Sequence, residues 1–156
     1  MSSGCDMMYK KILLATDGSE CAEKAAKQAI IIAGQNNAEL IVLNVLETHS
    51  LAGLPVEGFT HNVNELFRRE GIDALERISH IFKELSQKKS FVKGVKLTLK
   101  TEEGHPADMI LQTVDEQKIN LVVIGASGKH AVERFILGSV AEKVVRHAKC
   151  PVLTVH

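Results

Sequence analysis

INLVVIGASGKHAVERFILGS, residues 119–139, decides the fold. Its first six residues are apolar apart from Asn120, as in a short strand covered on both faces. Gly125 ends that run and opens a loop, Gly125-Ala126-Ser127-Gly128, and nine residues later comes Gly138-Ser139. Val140, Val144 and Val145 then follow helical spacing, so Gly138-Ser139 stands where a helix begins. Glycines let backbone N–H groups approach an anion closely. A helix start adds unpaired N–H donors and a favourable dipole, and the Ser139 hydroxyl is a further donor. The loop is a phosphate cradle in chemical terms, although neither GxxxxGK[ST] nor GxGxxG occurs. Each glycine alone would be an ordinary strand stop or helix cap.

Outward from this segment, strand and helix patterns alternate. Residues 9–16 (YKKILLAT) read as a strand broken by Asp17-Gly18-Ser19, with Ser19 a helix N-cap and Glu20 an acid in the first turn. Ala22, Ala25, Ala26, Ala29, Ile30 and Ala33 keep helical spacing up to Gly34, the expected stop. Residues 39–46 (ELIVLNVL) form a second strand, and residues 47–61, with Gly53, Pro55 and Gly58, a long loop of the kind that serves as a lid. A helix is predicted over 62–88 with Val63, Leu66, Phe67, Ala74, Leu75, Ile78, Phe82 and Leu85 as its buried stripe and a bend at Gly71. Residues 95–101 (VKLTLKT) alternate like an edge strand with Val95, Leu97 and Leu99 on one face, and Gly104-His105-Pro106 leads into a helix ending near Lys118. Residues 151–155 (PVLTV) close the chain as a fifth strand. The order β-α-β-α-β-α-β-α-β implies a parallel sheet with right-handed crossovers.

Composition narrows the function. At 156 residues the chain makes one domain, residues 9–156, with residues 1–8 as a flexible N-terminal extension. Nineteen Lys plus Arg balance nineteen Asp plus Glu, which argues against a nucleic-acid binder. Locally, residues 126–149 carry five Lys or Arg against two Glu, and Lys129 and Arg134 lie inside the glycine motif, where they would attract polyphosphate. The apolar runs are too short to cross a bilayer, and no signal peptide is visible. Three cysteines, Cys5, Cys21 and Cys150, without a CxxC pair point to a reducing compartment and a cytoplasmic protein. His49, His105 and His130 follow successive strands and read as exposed loop residues.

The pattern G-x2-G-x9-G-[ST] after a fourth strand resembles the ATP-binding signature of the universal stress protein family. The opening KKILLATDGSE, the GHP turn and the closing CPVLTV are similar to that family too, so the resemblance covers nearly the whole chain. It implies an α/β fold: an open five-stranded parallel sheet in the order 3-2-1-4-5, helices on both faces, Rossmann-like, with the chain reversal beside strand 1. Ligands of such sheets bind at that reversal. By resemblance, Asp17 lies near the adenosine and phosphates, Ala15 beside the base, and Val45 where backbone meets adenine. Ile124, Gly125, Gly128, Gly138, Ser139 and Val140 match ribose and phosphate contacts. Ala126 and Ser127 depart from a family preference for polar or basic residues.

The expected function is that of an ATP-binding universal stress protein, a nucleotide-dependent regulatory module, with an unidentified protein partner. The alternatives are a weak ATPase or a protein whose ligand is AMP or cyclic AMP. No general base, Walker lysine or acidic pair for two metals is in evidence, so hydrolysis is expected to be slow at most. Mg²⁺ or Mn²⁺ would arrive with the phosphates, with Asp17 as the motif carboxylate to meet it. The last strand is an uncharged sheet edge, which predicts a homodimer through it.

Overall fold

In the computed structural model, residues 8–47, 57–129 and 136–156 are described. The elements follow one another as β1 (Lys11–Ala15), α1 (Glu20–Asn36), β2 (Glu39–Leu46), α2 (Glu57–Lys88), a 3₁₀ turn (Ser90–Val92), β3 (Leu97–Glu103), α3 (Pro106–Gln117), β4 (Leu121–Gly125), α4 (Ser139–His147) and β5 (Val152–Val155). The strands form one sheet in the order β3-β2-β1-β4-β5, as the family resemblance implies, and every pair is parallel, as the alternation of elements predicts. The expected N-terminal extension lies, but for Met8, outside the described residues.

β1 sits at the centre because its apolar residues can be buried on both faces. Ile12 and Leu14 join the core beneath α1 and α2 with Ala26, Ile30 and Ile78. Leu13 and Ala15 join the core beneath α3 and α4 with Ile110, Val114 and Val144. The alanine face of α1 lets that helix lie close on the sheet. Its start is capped by Ser19, whose Oγ accepts from the Ala22 N–H at 3.2 Å. Cys150 packs against the second core, and burial pushes its thiol pKa up. No helix among the described residues is long and apolar enough to cross a membrane.

Several boundaries differ from the sequence expectation. α1 continues past Gly34 and ends at Asn37, in the left-handed conformation (φ 49°) with its N–H on the last carbonyls. Gly34 serves packing instead of termination: a β-carbon there would lie 2.7 Å from Phe91 Cδ2 and 3.0 Å from the Phe91 carbonyl oxygen. α2 begins at Glu57, inside the expected loop, because Gly58 falls in a first turn where helix-breaking residues cost little. Residues 48–56 of that loop lie outside the described residues. Beyond that start, α2 runs through Gly71 as one helix to Lys88, the end the sequence predicts. Leu66, expected in the buried stripe of α2, is exposed, as are Leu99 of β3 and Val145 of α4, because none of the described residues covers those positions.

The contact at Gly34 yields a stability prediction. Gly34→Val should lower unfolding stability by about 1–3 kcal/mol through overpacking against Phe91. Urea denaturation with an unchanged m-value and a reduced midpoint is the expected reading; an unchanged midpoint would show that the 3₁₀ turn yields freely.

Candidate functional site

Because β2 and β3 extend one edge of β1 and β4 and β5 the other, the chains leaving β1 and β4 turn to opposite faces. A crevice opens above their carboxyl ends. It is a cavity of about 580 Å³, within the ~300–1,000 Å³ of small-molecule sites. Of the residues singled out in the sequence, Ala15, Asp17, Val45, Ile124, Gly125, Gly128, Lys129, Gly138, Ser139 and Val140 line it.

The floor is apolar. Ala15 and Ile124 are register partners on neighbouring strands, both buried, with half-buried Val45 beside them. The rim is polar and tightly tied. The Thr16 N–H donates to the Leu43 carbonyl (2.9 Å), and the Thr16 carbonyl accepts from Asn44 Nδ2 (2.9 Å). The Asp17 carboxylate accepts from two loops at once, the Ser19 N–H on Oδ1 (2.9 Å) and the Lys129 N–H on Oδ2 (3.1 Å). It therefore orders its own turn and clasps the glycine loop to it.

The glycines of that loop allow close approach. A β-carbon at Gly125 would stand 3.0 Å from the backbone of Cys21 and Ala22, and one at Gly128 would stand 2.8 Å from Asp17 Oδ2. The loop returns to α4 through the Gly138 N–H donating to the Ala126 carbonyl at 2.7 Å. Gly138 is the N-cap of α4 and brings no capping side chain. The N–H groups of Ser139, Val140 and Ala141 begin the helix without intrahelical acceptors, at the edge of the cavity. Cys21 Sγ lies 3.3 Å from Ser127 Oγ in the same rim.

Sequence reasoning missed the roof. Phe67, Glu70 and Gly71 of α2 and Asn44 of β2 also line the cavity. Glu70 Oε2 meets Lys129 Nζ at 3.1 Å. The helical stripe of α2 showed which face turns inward but not that its first half overhangs the β1 and β4 loops. Asn44, a polar residue inside an apolar run, was the available signal.

Of the loop histidines, His105 is the N-cap residue of α3, its Nδ1 4.0 Å from Glu47 Oε1. His49, His130 and Arg134 lie outside the described residues. Beside Ser139 and Val140, Lys143 hydrogen-bonds Asp108 and holds that carboxyl below the usual carboxylate range. A lowered pKa means that this tie between α3 and α4 is present at neutral pH and is lost as pH falls through the Asp108 pKa. Among the described residues, no group of three His, Cys, Asp or Glu side chains gathers as a metal site.

The fold and the crevice define a class: an open, doubly wound α/β domain with a glycine-lined cleft at its switch point. The sequence pattern of the universal stress protein family matches residues 8–156. A universal stress protein of Methanocaldococcus jannaschii is 40% identical over 148 residues, covering 95% of this chain and 82% of that one. The solved universal stress protein UspA from Lactobacillus plantarum superposes with a TM-score of 0.71 at 26% identity, over 95% of this chain and 98% of that one. The Archaeoglobus fulgidus universal stress protein, solved in complex with dAMP, superposes with a TM-score of 0.61 at 24% identity, over 96% and 99% of the two chains. The chain belongs to the universal stress protein family.

The clasp is testable without a ligand. Asp17→Ala removes the acceptor of the Ser19 and Lys129 amides. Their hydrogen exchange should quicken about fivefold, the equivalent of ~1 kcal/mol per lost bond. Exchange at Leu13 and Val123 should stay as in the parent; an unmoved Lys129 amide would show that Asp17 does not hold the two loops together.

Proposed function

We propose that this protein binds an adenine nucleotide in the switch-point cavity and works as a nucleotide-dependent regulatory module in the cytoplasm, with ATP as the ligand. The observation that carries the reading is the convergence of two features on one cavity. The Gly125–Ser139 loop brings backbone N–H groups and the start of α4, and Ala15, Ile124 and Val45 offer an apolar shelf for a base. Universal stress proteins of the same fold hold dAMP, AMP and cyclic AMP, which supports the adenine nucleotide class and leaves phosphate number to experiment. In this reading Gly128, Lys129, Gly138, Ser139 and Val140 meet phosphate and ribose, and Asp17 meets the adenosine end and any Mg²⁺ or Mn²⁺ that arrives with the phosphates. Both Asp17 oxygens already accept one N–H, and each keeps a lone pair for that purpose.

Calorimetry with ATP and Mg²⁺ should show one site per chain, and mass spectrometry of nucleotide released from freshly purified, denatured protein separates ATP from AMP and cyclic AMP. A β-carbon at Gly138 has ordinary contacts, 3.4 Å from the Ala126 oxygen and 3.5 Å from Ser127 Cα, so the fold accepts a methyl group there. The branches of valine would press into the loop backbone where phosphate approaches. Gly138→Val should therefore weaken ATP binding more than tenfold, ~1.4 kcal/mol. Parent-like affinity in a folded Gly138→Val protein, or no heat from the parent at millimolar ATP, overturns the reading.

We further propose that β5 pairs with its copy about a two-fold axis, giving a homodimer with one nucleotide site per subunit. β5 is a sheet edge, and its ladder with β4 uses alternate residues: the Pro151 and Val155 carbonyls accept from Val122 and Ala126. In a parallel strand that pattern turns the Thr154 N–H outward. Leu153 and Val155 also pack on the α1 side of the sheet, so substitutions there would disturb the subunit itself. Thr154→Pro removes the outward donor instead, and should convert a species of about twice the chain mass into a monomer by light scattering. A parent already monomeric at micromolar concentration rules the dimer out.

A further inference from the structure

Helix α2 changes character at Gly71. Beyond it, Ala74 and Ile78 are buried, and Leu75, Phe82 and Leu85 pack against the α1-side core. Gly71 itself is pressed onto β2, where a β-carbon would fall 2.5 Å from Asn44 Oδ1. Before it, the described side chains are half-buried or exposed, Leu66 at 54%. This first half overhangs the cavity with Phe67 and Glu70. Among the described residues, two ion pairs tie it to the strand ends below, Arg68 to Glu103 (3.2 Å) and Glu70 to Lys129 (3.1 Å).

Lys129 joins the roof to the rim. Its N–H is held by Asp17, and its side chain passes over the Gly18 turn, with Cε 3.6 Å from where a Gly18 β-carbon would be. Its ammonium ends on Glu70, one turn before Ala74, which packs on the same turn of chain. Lys129 directly follows Gly128, so its ammonium stands within reach of the phosphates the cradle would hold. Carboxylate and phosphate thus compete for one cation. The pair with Glu70 is partly exposed, its side chains 34% and 47% accessible, and such pairs are weak. A polyphosphate of several charges outcompetes a single carboxylate, and once Lys129 turns to it, Glu70 faces an anion across the cavity.

We propose, resting on the nucleotide reading above, that Glu70 is a charge-sensing residue. Phosphate takes Lys129 away from it, the first half of α2 loses its tie to the glycine loop, and the penalty for displacing Glu70 grades ligands by phosphate charge. Nucleotide occupancy is thereby written onto an exposed helical segment, with Gly71 as the boundary between the part that loosens and the part the core retains.

The test is Glu70→Gln, a substitution on an exposed helical position that keeps shape and removes charge. Without nucleotide, amides of residues 62–70 should exchange roughly threefold faster than in the parent, and those of residues 74–85 should not change. Lys129→Gln breaks the same pair and should loosen the same segment. With nucleotide, Glu70→Gln should raise the ratio of ATP to AMP affinity by roughly threefold or more, because ATP carries more charge past the missing carboxylate. Parent-like exchange in both variants, or an unchanged affinity ratio, overturns the sensing role while leaving the nucleotide site standing. A parent that binds neither nucleotide overturns the proposed function and, with it, the sensing role.

Discussion

Everything in this molecule depends on β1 being paired along both edges and buried on both faces. Ile12, Leu13 and Leu14 have no solvent exposure, and their side chains feed two separate cores in alternation. A strand in that position leaves no room for helices at its edges, so the chain places α1 and α2 on one face and α3 and α4 on the other. The first half of the chain occupies one edge of β1 and the second half the other, and the crevice between the β1 and β4 loops follows from that division. The site is a consequence of how the core closes.

The crevice is held open by short polar ties instead of bulk. Asn44 bonds the Thr16 carbonyl, Asp17 bonds both its own turn and the Lys129 N–H, and Gly138 bonds the Ala126 carbonyl. These bonds spend backbone and carboxylate groups on positioning, while the first N–H groups of α4 stay free of helical acceptors. Among the described residues Asn44 Oδ1, buried under α2, has no hydrogen-bond partner, a polar cost located at the cavity. Large rigid cores below and weak, partly exposed ion pairs above make the floor of the site stiff and its roof the easier part to displace.

The membership in the universal stress protein family rests on the full length of the chain and not on the glycine motif alone. That breadth matters physically. A glycine loop keeps its shape only if its two ends are held, and here β4 and α4 hold them, with α1 packed so closely that a β-carbon at Gly125 would stand 3.0 Å from the backbone of Cys21 and Ala22.

The sequence by itself determined the alternation of elements, the parallel sheet and both loops of the cleft. These are local signals: largely apolar runs such as residues 40–46, helical spacing of alanines, glycines at fixed separation. What required the tertiary structure were contacts between distant segments. Gly34 looks like a helix stop, and only the approach of Phe91 shows it to be a packing position inside α1. Gly71 reads in the sequence only as a weak point of its helix, and the contact with Asn44 shows it to be a position of close approach to β2. Glu70 and Asn44 carry no motif. They belong to the cavity because α2 crosses the ends of β1 and β4, a placement set by burial against the sheet that periodicity along one chain segment cannot express.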